Sequence, residues 1–273
     1  MLNLIRRFLC LCGMWASTTV CADSALQPSV VVSIPPLALL AQEIYGQQTQ
    51  VDVLLRGANS AHHSVLRPSD IQRINQADTI YWVGPALENH LVKALHNKPS
   101  LALMSQLSHT GDDPHIWLNP DLAMEIAAIM AEKFIEGHPA QRAATQARLQ
   151  ALQGKLKQLD KTLQHTLLNT PPFVVFHNSL SHWVERYQLT QLASLSDVPE
   201  ESIGLKTLAK VARLSKNAQC LLTEPGEAHT AQKYAQRLGL PMVAIDILAT
   251  QQPHPSFTDF MLHTASSIRQ CKK

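Results

Sequence analysis

The feature that most constrains the fold is a short apolar run, rich in β-branched residues, that recurs along the chain. In the first half it occurs at 30–34, 51–55 and 79–83, with helical patterns around 37–44 and 69–75 between the runs. Runs of this length, bounded by turn residues, are typical of strands buried in a parallel sheet. Strands that alternate with helices indicate an α/β unit built from right-handed crossovers.

The second half of the chain repeats the pattern. We predict strands at 173–176, 191–195, 220–223 and 242–245, and helices at 182–187, 206–214 and 228–238. Gly239 supplies the stop for the last of these helices. Both halves are therefore predicted to be α/β lobes in which helices flank a parallel sheet.

A helical segment separates the two halves. Asn119 and Pro120 predict a helix start, because a side-chain cap precedes a proline at the first helical position. From about residue 139 a long helix carries one apolar stripe, formed by Leu149, Leu152, Leu156, Leu159, Leu163 and Leu167. This stripe fits either packing across both halves of its own chain or a coiled-coil partner. We predict a long rigid helix between two lobes, with a signal peptide at 1–22, an N-terminal lobe at 23–118, a helical segment at 119–170 and a C-terminal lobe at 171–273.

The N-terminus has the pattern of an export signal. Arg6 and Arg7 precede the apolar run 8–16, and small residues end the segment at Val20-Cys21-Ala22. The apolar run is too short to cross a bilayer, which takes about 20 residues. We expect cleavage after Ala22 and a soluble mature protein in the periplasm.

Charge and cysteine content narrow the function classes. Removing 1–22 leaves 21 Lys and Arg (23 minus 2) against 21 Asp and Glu, which argues against a nucleic-acid or polybasic membrane role. Only Cys220 and Cys271 remain in the mature chain. In an oxidising compartment an even number favours one disulfide. Two buried thiols or a thiolate metal pair are the alternatives.

Four residues occupy positions where metal ligands commonly lie in α/β proteins. His62 and His177 follow predicted strands, His115 precedes a helix cap, and Asp246 ends the last predicted strand. Ligands gather outside the carboxyl ends of strands in open α/β sheets. Imidazoles with one carboxylate suit Zn²⁺, which takes four ligands tetrahedrally, whereas Mn²⁺ prefers more oxygen. The other histidines lie in polar or helical contexts and need no functional explanation.

Several segments together resemble one protein family. They are 62–70, HHSVLRPSD; 80–85, IYWVGP; 113–120, DPHIWLNP; 176–178, FHN; 220–225; and Cys271. In this order they are similar to the periplasmic zinc-uptake solute-binding proteins of ABC importers, the metal-specific cluster A-I or cluster 9 family.

The resemblance implies a function and a set of site residues. His62, His115 and His177 match the family's three histidine ligands, and Asp246 falls where several relatives supply a carboxylate. Cys220 and Cys271 match its disulfide. The implied function is capture of Zn²⁺ between the lobes and delivery to the membrane permease of an ABC importer, by a monomer that is not an enzyme.

The sequence departs from the family pattern in two places. The long His- and acid-rich loop of many members is reduced here to 108–112, so His109 is at most a remnant of it. Ala61 stands where some relatives have an acid. These differences leave open a tuned affinity or delivery of the metal by a periplasmic metallochaperone. His63 is the rival first ligand, which we place at the rim of the site.

Three other functions are alternatives to zinc transport. The same fold with Mn²⁺ or Fe²⁺ as cargo, or with an adhesin-like role, would be expected to exchange a histidine for a carboxylate. A zinc-dependent hydrolase needs an acid–base residue, for which Glu224 is the one candidate, and neither an HExxH nor a GxSxG motif is present. A site for an organic solute would be lined by aromatic residues, which make up only 5% of the chain.

Overall fold

The structure is a computed structural model that describes residues 29–46, 49–55, 61–62, 64–109, 111–197 and 202–271. The proposed signal peptide and His63 lie outside these residues. The strands are β1 (Val30–Val32), β2 (Val51–Val53), β3 (Thr79–Trp82), β4 (Ser100–Ala102), β5 (Phe173–His177), β6 (Gln191–Ser196), β7 (Cys220–Thr223) and β8 (Met242–Ala244).

The helices in the described part of the chain are α1 (Pro35–Tyr45), α2 (Pro68–Gln76), α3 (Pro85–Glu88), α4 (Val92–Leu95), α5 (Pro120–Gly137), α6 (Arg142–Leu167), α7 (Ser181–Tyr187), α8 (Leu205–Leu214), α9 (Ala228–Leu238) and α10 (Phe257–Ile268). Short 3₁₀ segments occur at Asn89–Leu91, Leu103–Gln106, Ile116–Leu118, Pro139–Gln141, Ser215–Asn217 and Pro225–Glu227.

The strands form two parallel sheets with the same topology. The first has the order β2-β1-β3-β4 and the second the order β6-β5-β7-β8. Every described strand pair is parallel, as in the pairing of Val30 with both Val51 and Thr79. In each sheet the connections change direction beside the first strand, so the switch points lie between β1 and β3 and between β5 and β7. The predicted two-lobe α/β fold is confirmed.

The leucine stripe of α6 lies inside the molecule. Its members from Leu152 to Leu167 are at most 2% exposed, and α6 packs against α1, α5 and α10. These helices belong to one hydrophobic cluster that also contains residues of β1 in the first sheet and of β5 in the second sheet. The stripe therefore packs on its own chain rather than on a coiled-coil partner, and a continuous core joins the lobes. The domain boundaries at 118 and 170 stay a prediction.

The junction between the lobes is fixed by specific polar contacts. The Asn119 side chain accepts a hydrogen bond from the Asp121 N–H at 2.9 Å, as predicted for a cap, and Pro120 begins α5. The Trp117 indole N–H donates to the Ile247 carbonyl at 2.8 Å, and the Trp183 indole N–H donates to the Leu118 carbonyl. Because both bonds are buried and cross between lobes, they hold the segment after His115 in a fixed position.

The C-terminal end is tied to the second sheet. Cys220 begins β7 and forms a disulfide with Cys271, with the two Cα atoms 5.2 Å apart. Both cysteines are fully buried. The bond between them confirms the predicted disulfide and excludes the free-thiol and metal alternatives. Among the described helices, none has both the length and the apolar character that crossing a lipid bilayer requires.

Candidate metal centre

Three histidines that are far apart in the chain converge at one point between the lobes. The ring centroids are 5.7 Å apart for His62 and His115, 5.1 Å for His62 and His177, and 5.1 Å for His115 and His177. One nitrogen from each ring lies within 4.8 Å of the others, so the three rings can hold one metal ion. His115 and His177 are each 3% exposed and His62 is half-buried.

The backbone explains why these rings meet. His177 is the last residue of β5, directly at the switch point of the second sheet. His115 immediately precedes the 3₁₀ turn at Ile116–Leu118, whose buried tryptophan is fixed by the second lobe. His62 follows β2 in the first lobe. Two ligand positions thus come from the first lobe and one from the second.

Carboxylates orient two of the three rings. Nδ1 of His115 lies 2.6 Å from Asp113 Oδ1, which also accepts the His115 backbone N–H at 3.0 Å. Nδ1 of His177 lies 2.9 Å from Glu224 Oε1. A carboxylate accepts a hydrogen bond but cannot donate one when ionised, so it places the imidazole proton on Nδ1. Nε2 is then left with its lone pair as the metal ligand in both rings.

The Nε2 atom of His177 is available to bind a metal ion. It is buried and has no hydrogen-bond partner among the described residues. A buried polar atom without a partner is costly, typically about 1–3 kcal/mol. A tetrahedral Zn²⁺, bound by imidazole nitrogens at roughly 2.0–2.1 Å, would satisfy it. The donor set of three imidazoles fits Zn²⁺ in both number and chemical type.

The charges around the rings influence their protonation. Burial alone would lower the pKa of the His177 imidazole, but the hydrogen bond to Glu224 and the charges of Glu224, Glu227 and Asp113 raise it above its ordinary value. Burial opposes ionisation of Asp113, yet the hydrogen bonds from His115 and the charge of His182 hold the Asp113 pKa well below its usual range. The ionised carboxylate of Asp113 therefore favours a cation in the site.

The structure does not bring Asp246 into the histidine cluster. Within the described residues, no group of three or more metal-capable side chains contains it. Its Oδ2 accepts the backbone N–H groups of Thr250 and Gln251 at 2.8 and 2.7 Å, and its Oδ1 accepts that of Leu248 at 3.1 Å. The carboxylate organises the turn after β8, which is a structural role that the strand-end pattern did not reveal.

The positioning carboxylates are the residues that sequence reasoning missed. The sequence pattern assigns no role to Asp113 and indicates Glu224 only as a candidate catalytic acid. Glu224 follows β7, the strand beside β5, so its place at the switch point could have been found from the strand order. Glu224 and Glu227 also form a second metal-capable group with His177.

An open cleft gives access to the histidines. It has a volume of about 770 Å³, and the predicted remnant residue His109 lies on its wall. Most of the residues that line it have polar side chains, and the lining comprises His62, His109, Gly111, Asp112, Asp113, Pro114, His115, Asn119, Asn178, Ser181, His182, Glu185, Arg186 and Asp197. Acidic and imidazole groups thus surround the route to the site from both lobes.

Comparison with known proteins places the chain in a family. A ZnuA from Yersinia pestis, named as a high-affinity zinc uptake system protein, is 27% identical over 239 residues, covering 72% of this chain and 75% of that protein. A protein of the same name from Haemophilus ducreyi is 26% identical over 237 residues, covering 72% and 76%. A crystal structure of ZnuA superposes with a TM-score of 0.78 at 22% identity, covering 90% of this chain and all of that one, which supports the fold.

The family-level match spans nearly all of the described chain. The sequence profile of the family described as zinc-uptake complex component A, periplasmic, matches residues 30–271, from the first strand to the second disulfide cysteine. The matched region contains both sheets, the joining helix and all three converging histidines. This chain belongs to the family of periplasmic zinc-uptake components.

Proposed function

We propose that this chain captures Zn²⁺ in the cleft between its lobes and delivers it to the membrane permease of an ABC importer. The observation that carries the proposal is the convergence of His62, His115 and His177, with ring centroids 5.1–5.7 Å apart. Family membership and the names of the relatives from Yersinia pestis and Haemophilus ducreyi support zinc as the cargo.

In this proposal the three imidazoles hold the ion and the carboxylates hold the imidazoles. Asp113 and Glu224 fix the rings of His115 and His177, so little ordering is required when the ion enters. The fourth position is open to water. Both carboxylate oxygens of Asp246 accept hydrogen bonds from the turn at 248–251, which favours water over Asp246 in this position.

A zinc titration against a competing chelator tests the proposed ligands. Replacing His177 by Ala removes a buried ligand, and we expect an affinity loss of orders of magnitude. The matched control is His165→Ala, which removes an exposed imidazole on α6 and should leave the affinity unchanged. Equal affinities in the two variants would contradict the proposed site.

The choice of metal is tested by competition. A site of three imidazoles prefers Zn²⁺ to Mn²⁺, which binds oxygen-rich sites better. We expect zinc to displace manganese from the loaded protein and manganese to fail to displace zinc. The reverse order would favour the alternative in which Mn²⁺ or Fe²⁺ is the cargo.

We infer a transport role without turnover. Glu224 is the best candidate for a general base in this site. Its carboxylate contacts Nδ1 of His177 and is placed to orient that ring. The zinc-loaded protein is expected to hydrolyse neither ester nor phosphate test substrates. Measurable turnover that disappears in Glu224→Gln would revive the hydrolase alternative.

The proposal extends to location and partners. We infer that residues 1–22 direct export to the periplasm, where a monomer meets the permease and could receive zinc from a metallochaperone. Mass spectrometry of the exported protein should show a chain that begins at Asp23, and sedimentation should give a single monomeric species. A retained N-terminus would contradict the export step.

A further inference from the structure

A second pair of histidines lies in the C-terminal lobe, apart from the histidine cluster. His254 lies in the segment between β8 and α10, and His263 lies on α10 itself. Their ring centroids are 5.5 Å apart and the ring planes are inclined by 54°. His263 is exposed and His254 is half-buried, so the pair borders solvent.

The spacing of this pair matches the spacing within the proposed zinc site. The three ring pairs of that site are 5.1–5.7 Å apart, and the value of 5.5 Å falls inside that range. Two imidazoles that bind one tetrahedral Zn²⁺ through nitrogens at roughly 2.0–2.1 Å have centroids about 5 Å apart. The distance between the two rings is therefore compatible with a shared ion.

The immediate surroundings favour a cation. Nε2 of His254 is buried and has no hydrogen-bond partner in the described part of the chain. The side-chain amide nitrogen of Gln252 lies 3.3 Å from both ring nitrogens of His263, so this exposed side chain must turn away when an ion binds. Asp246 and Asp259 are close enough for their charges to act on His254. Their negative charge would offset part of the charge of a bound ion.

The segment before His254 is anchored, since the Asp246 carboxylate accepts the backbone N–H groups of Thr250 and Gln251.

We propose that His254 and His263 form a second, weaker site for Zn²⁺ or a similar borderline divalent cation, completed by water. The site is weaker because it offers two imidazoles, whereas the cleft offers three; no third His, Cys, Asp or Glu joins the pair among the described residues. It is separate from the cleft, whose lining contains neither histidine. It would hold a second ion beside the turn that Asp246 organises.

Zinc titration of the mature protein, followed by calorimetry, tests this site. We expect two binding events, one tight and one weaker. The double variant H254A/H263A should lose the weaker event and keep the tight one, whereas His177→Ala should do the opposite. The matched control is the double variant H165A/H229A, which removes two exposed helical histidines and should keep both events.

The outcomes separate this proposal from the proposed transport function. A single binding event in the unaltered protein, or a weaker event that persists in H254A/H263A, would overturn the second site and leave the cleft untouched. Thermal unfolding of each variant without metal checks that the fold is intact. If H254A/H263A unfolds early, His263→Gln alone, a substitution at an exposed position, provides the same test.

Discussion

The carboxylate of Glu224 should contribute to zinc affinity without touching the ion. Its Oε1 lies 2.9 Å from Nδ1 of His177, and the hydrogen bond is largely shielded from water, with the Glu224 side chain 13% exposed. Replacing Glu224 by Gln keeps the shape and removes the negative charge. The ring of His177 then loses the charged acceptor that fixes its tautomer and increases the basicity of Nε2.

The size of the effect follows from the kind of hydrogen bond that is lost. A hydrogen bond to a charged group contributes about 1.5–3 kcal/mol. At 1.4 kcal/mol per decade, this predicts that zinc binds about 10- to 150-fold more weakly to Glu224→Gln. This range agrees with the effect of about 10–100-fold that loss of such outer partners has on metal affinity.

The same variant makes a prediction about pH. Glu224 raises the pKa of His177, so protons compete with zinc at a higher pH in the unaltered protein than in Glu224→Gln. At about pH 8, above the ordinary imidazole pKa of about 6.5, protons compete less with zinc in both proteins and the larger difference should be measured. As the pH falls toward about 6, the unaltered protein loses affinity more steeply and the difference should narrow.

Chelator-competition titrations at several pH values provide the assay. Glu132→Gln is the matched control, because it removes an exposed carboxylate on α5 and should leave the affinity unchanged. The reasoning is refuted if Glu224→Gln binds zinc as tightly as the control at about pH 8, above the ordinary imidazole pKa of about 6.5. It is also refuted if the difference between the two proteins grows as the pH falls.

Four further predictions concern the scaffold. Leu159→Ala leaves a cavity at a fully buried position of α6, and urea titrations should show a free energy of unfolding lower by about 2–5 kcal/mol. The control Leu168→Ala, at a position 63% exposed, should change it by no more than about 0.5 kcal/mol. Cys271→Ser opens a disulfide that spans 51 residues and should lower the free energy of unfolding by about 4 kcal/mol. Adding a reductant should destabilise the unaltered protein by the same amount and should have no effect on the variant. Burial raises the pKa of Glu88 from 4.5 to about 7, so its carboxyl ionises more readily in the unfolded chain and the free energy of unfolding falls as the pH rises through this window. Between about pH 4.5 and pH 8 the unaltered protein should lose about 3 kcal/mol relative to Glu88→Gln. Parallel plots of unfolding free energy against pH for the two proteins would contradict this. Small-angle scattering should give nearly equal radii of gyration with and without zinc, because one core joins the lobes; a large compaction on loading would contradict a rigid connection.

The fold was largely predictable because its strands carry a strong local signal. Seven of the eight described strands coincide with apolar runs in the sequence, and β7 matches its predicted bounds at Cys220–Thr223. The missed strand, β4, contains one large apolar residue and is only half-buried at the edge of its sheet. The helix α10 was also missed, although Phe257, Phe260 and Met261 have helical spacing and are fully buried.

The site was predictable in its ligand positions but not in its supporting contacts. His177 ends a buried strand, a position that can be identified from local sequence. The contact between His177 and Glu224 spans 47 residues and depends on the order of the strands in the sheet, which no local pattern encodes. Asp246 follows a strand in the same way as His177, yet backbone N–H groups of its own turn engage its carboxylate. Side-chain chemistry at a strand end thus indicates a candidate, and the local backbone decides its role.

The central claim is that His62, His115 and His177 bind a single ion between the lobes. Anomalous diffraction at the zinc absorption edge, from crystals of the mature protein loaded with one equivalent of zinc, tests it most directly. We expect one dominant peak within roughly 2.0–2.1 Å of a ring nitrogen from each of the three histidines. A dominant peak elsewhere, or one that contacts fewer than three of these rings, would contradict the claim.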